Sequence, residues 1–206
     1  MEAVVALDAR QVEAVLRRAM IEHEAARFLD MVIVPLLVCV GSEWRHGRVT
    51  PAHEHLASRM IREAVNEYMA TFVPRTEAPR FLSATPQGQR HEFGAMLAAA
   101  TAAAAGWRVT YLGADLPAAA IAEAARQARA SVVGLSIVHP TDDPQLPGEL
   151  RALRAALPAD VVLLVGGAGA AGYSRVLRET RAVFVSDLAS LRPALVSLAG
   201  GPGDAD

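Results

Sequence analysis

Three short segments of the chain carry side chains that could together hold a ligand. They are Gln89-x-His91-x-x-Gly94, Ser136-x-Val138-His139 and Gly166-Gly167. An imidazole is a common ligand of transition metals, and glycine lets a flat or bulky group come close to the backbone. One histidine alone is not a metal site. Taken by itself, His91 is better explained as a residue that begins a helix and bonds a backbone group.

A second pattern combines an aromatic side chain with an acid and an imidazole. Trp44 is followed, after nine intervening residues, by Glu54-His55. The spacing places the indole near the end of one predicted helix and the acid–imidazole pair in the first turns of the next. All three side chains can then converge on one surface. The alternative is a tryptophan that anchors the core beside two exposed polar residues.

The segments that must position the first three motifs alternate between apolar runs and helical stretches. Predicted strands cover residues 81–84, 109–112, 132–136, 161–165 and 182–185, and predicted helices cover 92–105, 117–129, 147–156, 173–179 and 188–198. Near-continuous apolar strands separated by helices are typical of a parallel sheet covered on both faces. We therefore predict an α/β fold with a doubly wound five-stranded parallel sheet of the flavodoxin or Rossmann type. Ligands of such sheets bind beyond the carboxyl ends of the strands, where the three segments lie.

The chain before this region predicts a four-helix bundle, which short connections favour in an up-down arrangement. Asp8 can cap the first helix. Pro35 lacks a backbone donor, so we expect it to break the second helical stretch near Val34. That stretch runs from about Glu24 to a C-cap at Gly47. The last helix begins at Thr50-Pro51 and continues to about Phe72.

A linker between the two regions is indicated by Pro74 and Pro79 among polar residues. We therefore predict a helical bundle over residues 1–75, which would cover one face of a ligand, and an α/β domain over 79–200. The glycine-rich end, 201–206, is predicted to be a disordered tail.

The composition excludes several classes of protein. A net charge of −2 argues against a strongly basic nucleic-acid surface, and no zinc-finger or helix-turn-helix motif is recognisable. The single cysteine excludes an intramolecular disulfide. The apolar run from Met31 to Val40 is far shorter than the roughly 20 residues that span a membrane, and the first residues lack the positive charge of a signal peptide. We expect a cytoplasmic protein with no membrane partner and no direct DNA binding through a recognisable motif.

In their order along the chain, the three segments resemble the cobalamin-binding domain family, whose pattern is Asp-x-His-x-x-Gly, then Ser-x-Leu, then Gly-Gly. The resemblance covers about residues 80 to 200. It implies cobalamin in the base-off, His-on form, with its dimethylbenzimidazole tail in a slot beside the sheet and His91 as the lower axial ligand of cobalt. Ser136 and the glycine pair would line the slot, and His139 would touch the corrin rim or the tail.

Gln89 departs from this pattern, because the family has an acid at that position. A carboxylate behind a metal-bound imidazole raises its basicity and fixes its tautomer. A neutral amide orients the ring but adds no charge, so we expect a softer cobalt–histidine bond. Val138 in place of leucine is a mild change.

The Trp44-x9-Glu54-His55 pattern extends the resemblance to the light-sensing half of CarH-type photoreceptors, which hold adenosylcobalamin, over about residues 5 to 200. It implies that Trp44 packs against the adenosyl group and that Glu54 and His55 contact the upper ligand or its ribose. Visible light breaks the cobalt–carbon bond in that family. Loss of the adenosyl group would then shift the bundle and change the oligomer, as in a ligand-controlled switch.

One feature of the photoreceptors is not implied here. Some members have a histidine directly after the tryptophan that binds cobalt after photolysis, whereas this chain has Arg45 there and His46 one residue later. One residue corresponds to about 100° of rotation on a helix, so His46 does not simply substitute. His53 and His55 are the other candidates for such a role.

The predicted function is therefore a cobalamin-binding sensor. An absorption spectrum that changes in light would distinguish this function from two alternatives. The sensor would regulate a partner or transcription, as a homo-oligomer and without turnover chemistry of its own. CarH-type regulators carry a MerR-type DNA-binding domain, which is not recognised here, so we expect a fragment or a sensor that signals through a protein partner. The first alternative is a corrinoid carrier subunit of a methyltransferase system, and the second is a flavodoxin-like binding module without cobalamin.

Overall fold

A computed structural model describes residues 1–200, apart from the side chain of Ala25. The predicted disordered tail over 201–206 lies outside the described residues. The chain divides into two compact units, Met1–Phe72 and a second unit that begins at Val73. They are called here the helical unit and the α/β unit.

The helical unit contains five α-helices within the described residues. They are α1 (Glu2–Val5), α2 (Ala9–Glu22), α3 (Ala25–Phe28), α4 (Val34–Arg45) and α5 (Pro51–Ala70). The side chain of Asp8 accepts a hydrogen bond from the backbone N–H of Gln11 at 3.0 Å and caps α2 as predicted. Buried side chains from α3 and α5 meet in the core, where the rings of Phe28 and Tyr68 lie 5.5 Å apart. The short helix α1 had no counterpart in the prediction.

The predicted break near Val34 is wrong. The chain remains helical from α3 to α4, because a π-helical segment, Leu29–Ile33, joins them, and Val34 itself has helical backbone angles. Pro35 lies in the first turn of α4. A proline ring normally clashes with the carbonyl four residues earlier, and here that residue, Met31, lies inside the wider π-helical turn. The irregular turn therefore accommodates the proline without ending the helix.

The α/β unit contains five parallel strands and five α-helices within the described residues. The strands are β1 (Arg80–Ala84), β2 (Arg108–Tyr111), β3 (Val132–Ser136), β4 (Val162–Gly166) and β5 (Val183–Phe184). The helices are α6 (Phe93–Ala104), α7 (Ala118–Ala128), α8 (Leu146–Ala156), α9 (Ser174–Glu179) and α10 (Leu188–Ala199). A 3₁₀ turn, Ala170–Tyr173, precedes α9. These bounds confirm the predicted doubly wound five-stranded parallel sheet.

The sheet is covered on both faces because alternate side chains of a strand point to opposite sides. Leu82 of β1 and Val133 of β3 pack in a cluster with residues of α7 and α8. Phe81 and Val132, their neighbours in sequence, pack in a second cluster with α6 and α10. Each strand therefore needs apolar residues at successive positions, which explains the continuous apolar runs.

The strand order is β2-β1-β3-β4-β5. The direction of winding reverses between β1 and β3, which makes their carboxyl ends the topological switch point where ligands of such sheets bind. The loops that follow β1 and β3 carry His91 and His139. No helix in the described part of the chain has the length and apolar character needed to cross a membrane.

Candidate functional site

A cleft of about 500 Å³ opens at the carboxyl ends of β1 and β3. His91 and His139 both line it, and both side chains are exposed. Their ring centroids are 6.0 Å apart, with the ring planes at 74°. The fold thus brings two of the predicted site residues, separated by many positions in sequence, to one edge of the sheet.

The loop that carries His91 is held by two residues that the sequence analysis did not select, Thr85 and Asp115. The hydroxyl of Thr85, which is fully buried, accepts a hydrogen bond from the backbone N–H of Asp115 at 2.9 Å and donates one to the carbonyl of Gln89. A carboxylate oxygen of Asp115 accepts from the backbone N–H of Gly88 at 2.8 Å. The backbone before His91 is therefore fixed while its imidazole remains accessible.

Gln89 belongs to this loop, and its side chain is almost completely buried. Its Oε1 accepts from the backbone N–H of Val138 at 2.9 Å, and its Nε2 donates to the carbonyl of Pro140 at 3.0 Å. Both ends of the amide therefore bond to the loop after β3. This differs from the expectation that the amide would orient the ring of His91.

Ser136 ends β3, and its buried hydroxyl has no hydrogen-bond partner in the described part of the chain. A buried polar group without a partner costs about 1–3 kcal/mol, so this hydroxyl is available to bond a ligand. Gly94 lies opposite, in the first turn of α6, where a Cβ atom would collide with that hydroxyl. A small residue facing an unpartnered hydroxyl, beside an accessible imidazole, fits the donor set expected for cobalamin with a buried tail.

The glycine pair at the end of β4 brings two loops into close contact. Gly167 has φ +98°, and a Cβ atom there would collide with the carbonyl of Ile137. Gly169, which the sequence analysis did not select, has the same role, because its Cβ would lie 2.8 Å from the carbonyl of Val138. At Gly166 the added atom would meet Val185 at 3.0 Å. Backbone packing alone therefore requires these glycines, and their contact with a ligand stays a prediction.

Tyr173 and Asp143 support the other side of the cleft. The phenol oxygen of Tyr173 accepts from the backbone N–H of Asp143 at 2.7 Å, and Asp143 lines the cleft. Burial raises the pKa of Tyr173 above its usual value, and the phenol oxygen holds this loop as a hydrogen-bond acceptor. Supporting residues such as Asp143 are hard to identify from the sequence because their contacts are long-range. Their only signal is that they follow the end of a predicted strand.

In the helical unit, Trp44 lies near the end of α4 and is 54% exposed. Glu54 and His55 lie in the first turns of α5. Glu54 accepts a hydrogen bond from Ser58 Oγ at 2.6 Å, and its other oxygen is 3.3 Å from Nδ1 of His55. The exposed indole contradicts the alternative in which Trp44 anchors the core.

Two other histidines of the helical unit are engaged with the backbone. Nδ1 of His53 accepts from the backbone N–H of Thr50 at 3.0 Å, and Nε2 faces the carbonyl of Val5 at 3.1 Å. His53 therefore caps α5 and ties it to α1. Nδ1 of His46 lies 2.7 Å from the carbonyl of Ser42. Of the three histidines considered as later cobalt ligands, His55 is the one with a mostly exposed side chain that caps no helix.

The sequence is similar to B12 binding domains over most of its length. The sequence model of the B12 binding domain matches residues 79–196, and a second B12 binding domain model matches residues 1–68. The chain is 37% identical over 173 residues to the HTH-type transcriptional repressor CarA of Myxococcus xanthus, covering 84% of this chain and 58% of that protein. It is 33% identical over 180 residues to the repressor CarH of the same organism, covering 87% and 60%. The chain thus spans about three fifths of the length of these relatives.

Solved structures show the same fold at low sequence identity. The monomethylamine corrinoid protein of Methanosarcina barkeri aligns with a TM-score of 0.70 at 17% identity, covering 96% of this chain and 95% of that one. A cobalamin-binding protein from Desulfitobacterium hafniense aligns with a TM-score of 0.52 at 19% identity, with the same coverage. The family match, the fold and the donor set at the sheet edge agree: the chain belongs to the B12 binding domain family.

Proposed function

We propose that this chain is an adenosylcobalamin-dependent light sensor. The observation that carries the proposal is the exposure of Trp44, the largest apolar side chain of its unit. The same helical unit carries the exposed His55 and the half-buried Glu54. An indole that only stabilised the fold would be buried. The identity to two repressors of the Car type supports the same assignment.

Different residues of the chain would bind different parts of the cofactor. His91 would hold the cobalt from below, and Ser136 would hydrogen-bond the buried tail through its unpartnered hydroxyl. Trp44, Glu54 and His55 would contact the adenosyl group. When bound, adenosylcobalamin supplies a cobalt–carbon bond that visible light can break.

A change of oligomeric state is the proposed output of the sensor. The helical unit exposes several large apolar side chains, including Ile21 at 83%, Met31 at 63% and Val38 at 64%. Apolar surface of this kind is typical of interaction sites. We propose that these side chains contribute to a homo-oligomer whose stability depends on the adenosyl group, and that the oligomer regulates a protein partner or transcription.

The test is reconstitution with adenosylcobalamin in the dark, followed by illumination with green light. We expect the absorption spectrum to change and the elution volume in size-exclusion chromatography to shift. Methylcobalamin is the matched control, and it should bind less tightly because it leaves the adenosyl contacts unmade. An unchanged elution volume after complete photolysis would contradict the switch. A preference for methylcobalamin would favour the corrinoid carrier instead.

A further inference from the structure

The imidazole of His91 needs a hydrogen-bond partner that its sequence neighbour does not supply. A metal-bound histidine almost always donates its second ring N–H to a carboxylate, carbonyl or water, and this partner fixes the ring. The family pattern has an acid at position 89. Here the amide of Gln89 bonds Val138 and Pro140, so a side-chain partner for the ring would come from another part of the cleft.

The acidic side chains that line the cleft near His91 already accept backbone hydrogen bonds, in two cases from a different loop or helix. Asp115 accepts from the backbone N–H of Gly88 at 2.8 Å and lies 3.7 Å from the guanidinium of Arg90. Asp143 accepts from the backbone N–H of Gln145 at 2.8 Å. Glu149 accepts from the backbone N–H of Ala118 at 2.9 Å, at the start of α7.

His139 is the residue of the cleft whose ring lies next to that of His91. The centroid separation of 6.0 Å and the angle of 74° place the edge of one ring toward the other. Both side chains are exposed, so either ring can turn about its side-chain bonds without moving the backbone. A neutral imidazole has one acceptor nitrogen, which suits the N–H of a second imidazole.

The amide of Gln89 holds the backbone on both sides of His139. It accepts from residue 138 and donates to residue 140, so the position of His139 relative to the β1 loop is fixed by the residue that replaces the acid. The same substitution that removes the carboxylate therefore places a different partner beside His91.

Building on the proposed function, we infer that His139 is the positioning residue of the cobalt ligand. One ring nitrogen of His139 accepts the N–H of His91 that points away from the metal, and Gln89 holds His139 in place. The pair supplies orientation without the negative charge of the family's acid.

The experiment uses the full chain labelled with ¹⁵N-histidine and loaded with cobalamin in the cob(II) form. Electron paramagnetic resonance then reports whether a histidine nitrogen is bound to cobalt, because ¹⁵N and ¹⁴N split the cobalt signal differently. We expect a histidine signal in the parent protein. In His139→Phe, which keeps a ring of similar shape without nitrogen, we expect the ratio of His-on to His-off cobalamin to fall about tenfold, within the 10–100-fold range for lost outer partners.

Two further variants test whether His139 acts by hydrogen bonding or only by ring packing. His139→Gln retains an acceptor and should restore most of the His-on signal, and melting temperatures monitor folding in each variant. Gln89→Leu should lower the His-on ratio in the same direction, and the double variant Gln89→Leu, His139→Phe should be no worse than His139→Phe alone.

The outcomes distinguish this inference from the proposed function. A parent protein without any histidine signal would refute cobalt ligation by His91. A parent signal that His139→Phe leaves undiminished would overturn the role of His139 and leave the ligation intact. A loss in His139→Phe that His139→Gln does not rescue would also overturn it, because ring packing would then be sufficient.

Discussion

The two units present their candidate ligand-binding side chains in opposite ways. At the sheet edge of the α/β unit, Thr85, Gln89 and Asp115 fix the backbone around His91 through hydrogen bonds between different loops. In the helical unit, Trp44 and His55 are largely exposed. A rigid edge suits permanent retention of a cofactor, and exposed side chains suit a surface whose packing depends on the state of that cofactor. The contrast predicts that substitutions at buried positions of the α/β unit lower stability, whereas substitutions at exposed positions of the helical unit change the response to the cofactor.

The two tryptophans give the largest expected difference in stability. Trp107 is 2% exposed and packs edge-on against Phe81, whereas Trp44 is 54% exposed. We expect Trp107→Ala to lower the free energy of unfolding by about 3–5 kcal/mol, and Trp44→Ala to change it by less than about 0.5 kcal/mol. Urea denaturation measures both.

Trp44→Ala should nevertheless abolish the preference for adenosylcobalamin over methylcobalamin, which equilibrium binding of both compounds measures. A large loss of stability in this variant would show that Trp44 is a core residue and would remove the main support for the sensor.

Two glycines with positive φ test crowding at the sheet edge. Gly167 has φ +98° and close neighbours, whereas Gly47 has φ +68° with nothing within 4 Å of an added Cβ. We expect Gly167→Ala to cost about 3 kcal/mol, because backbone strain and a collision add. Gly47→Ala should cost only the strain, about 1 kcal/mol. Equal losses in thermal denaturation would contradict the close contact between the loops after β3 and β4.

His91 and His55 test which unit provides the cobalt ligand. Loss of an outer partner already costs about 10–100-fold in metal affinity, so His91→Ala should weaken cobalamin binding by at least about 100-fold. His55→Ala should leave methylcobalamin binding nearly unchanged, because that compound has no adenosyl group to contact. Titration followed by absorption measures both. Unchanged affinity and spectrum in His91→Ala would refute the assignment of His91 as the cobalt ligand.

Two buried serines give the smallest expected effects, with opposite signs. Ser83 Oγ donates to the carbonyl of Ala95 at 2.7 Å, whereas Ser136 Oγ has no partner in the described part of the chain. Without cobalamin, Ser83→Ala should lower the free energy of unfolding by about 1 kcal/mol and Ser136→Ala should raise it by about as much. Ser136→Ala should also weaken cobalamin binding about fivefold. A destabilised Ser136→Ala protein without ligand would show that this hydroxyl is satisfied by water.

The strands and helices of the α/β unit could be predicted because their signals are local. A strand buried on both faces needs a continuous apolar run, and the five runs predict β1 to β5 to within one residue at each end. The helical unit was less predictable. Pro35 predicts a break by its covalent chemistry, but the π-helical turn that accommodates it depends on how Leu29 and Ile33 pack in the core.

The family, the sheet and the set of candidate ligands could be predicted from the amino-acid order, because residue types at strand ends and the spacing of glycines are local features. What each of these residues bonds depends on the three-dimensional fold. The partners of Gln89 lie 49 and 51 positions away, and the ring that faces His91 belongs to a loop after a different strand. Contacts over such separations depend on strand order and backbone placement, which no local pattern encodes. The sequence therefore shows that the family's acid is replaced by Gln89. His139 becomes a candidate hydrogen-bond partner of His91 only in the folded protein, where the sheet brings the two loops together.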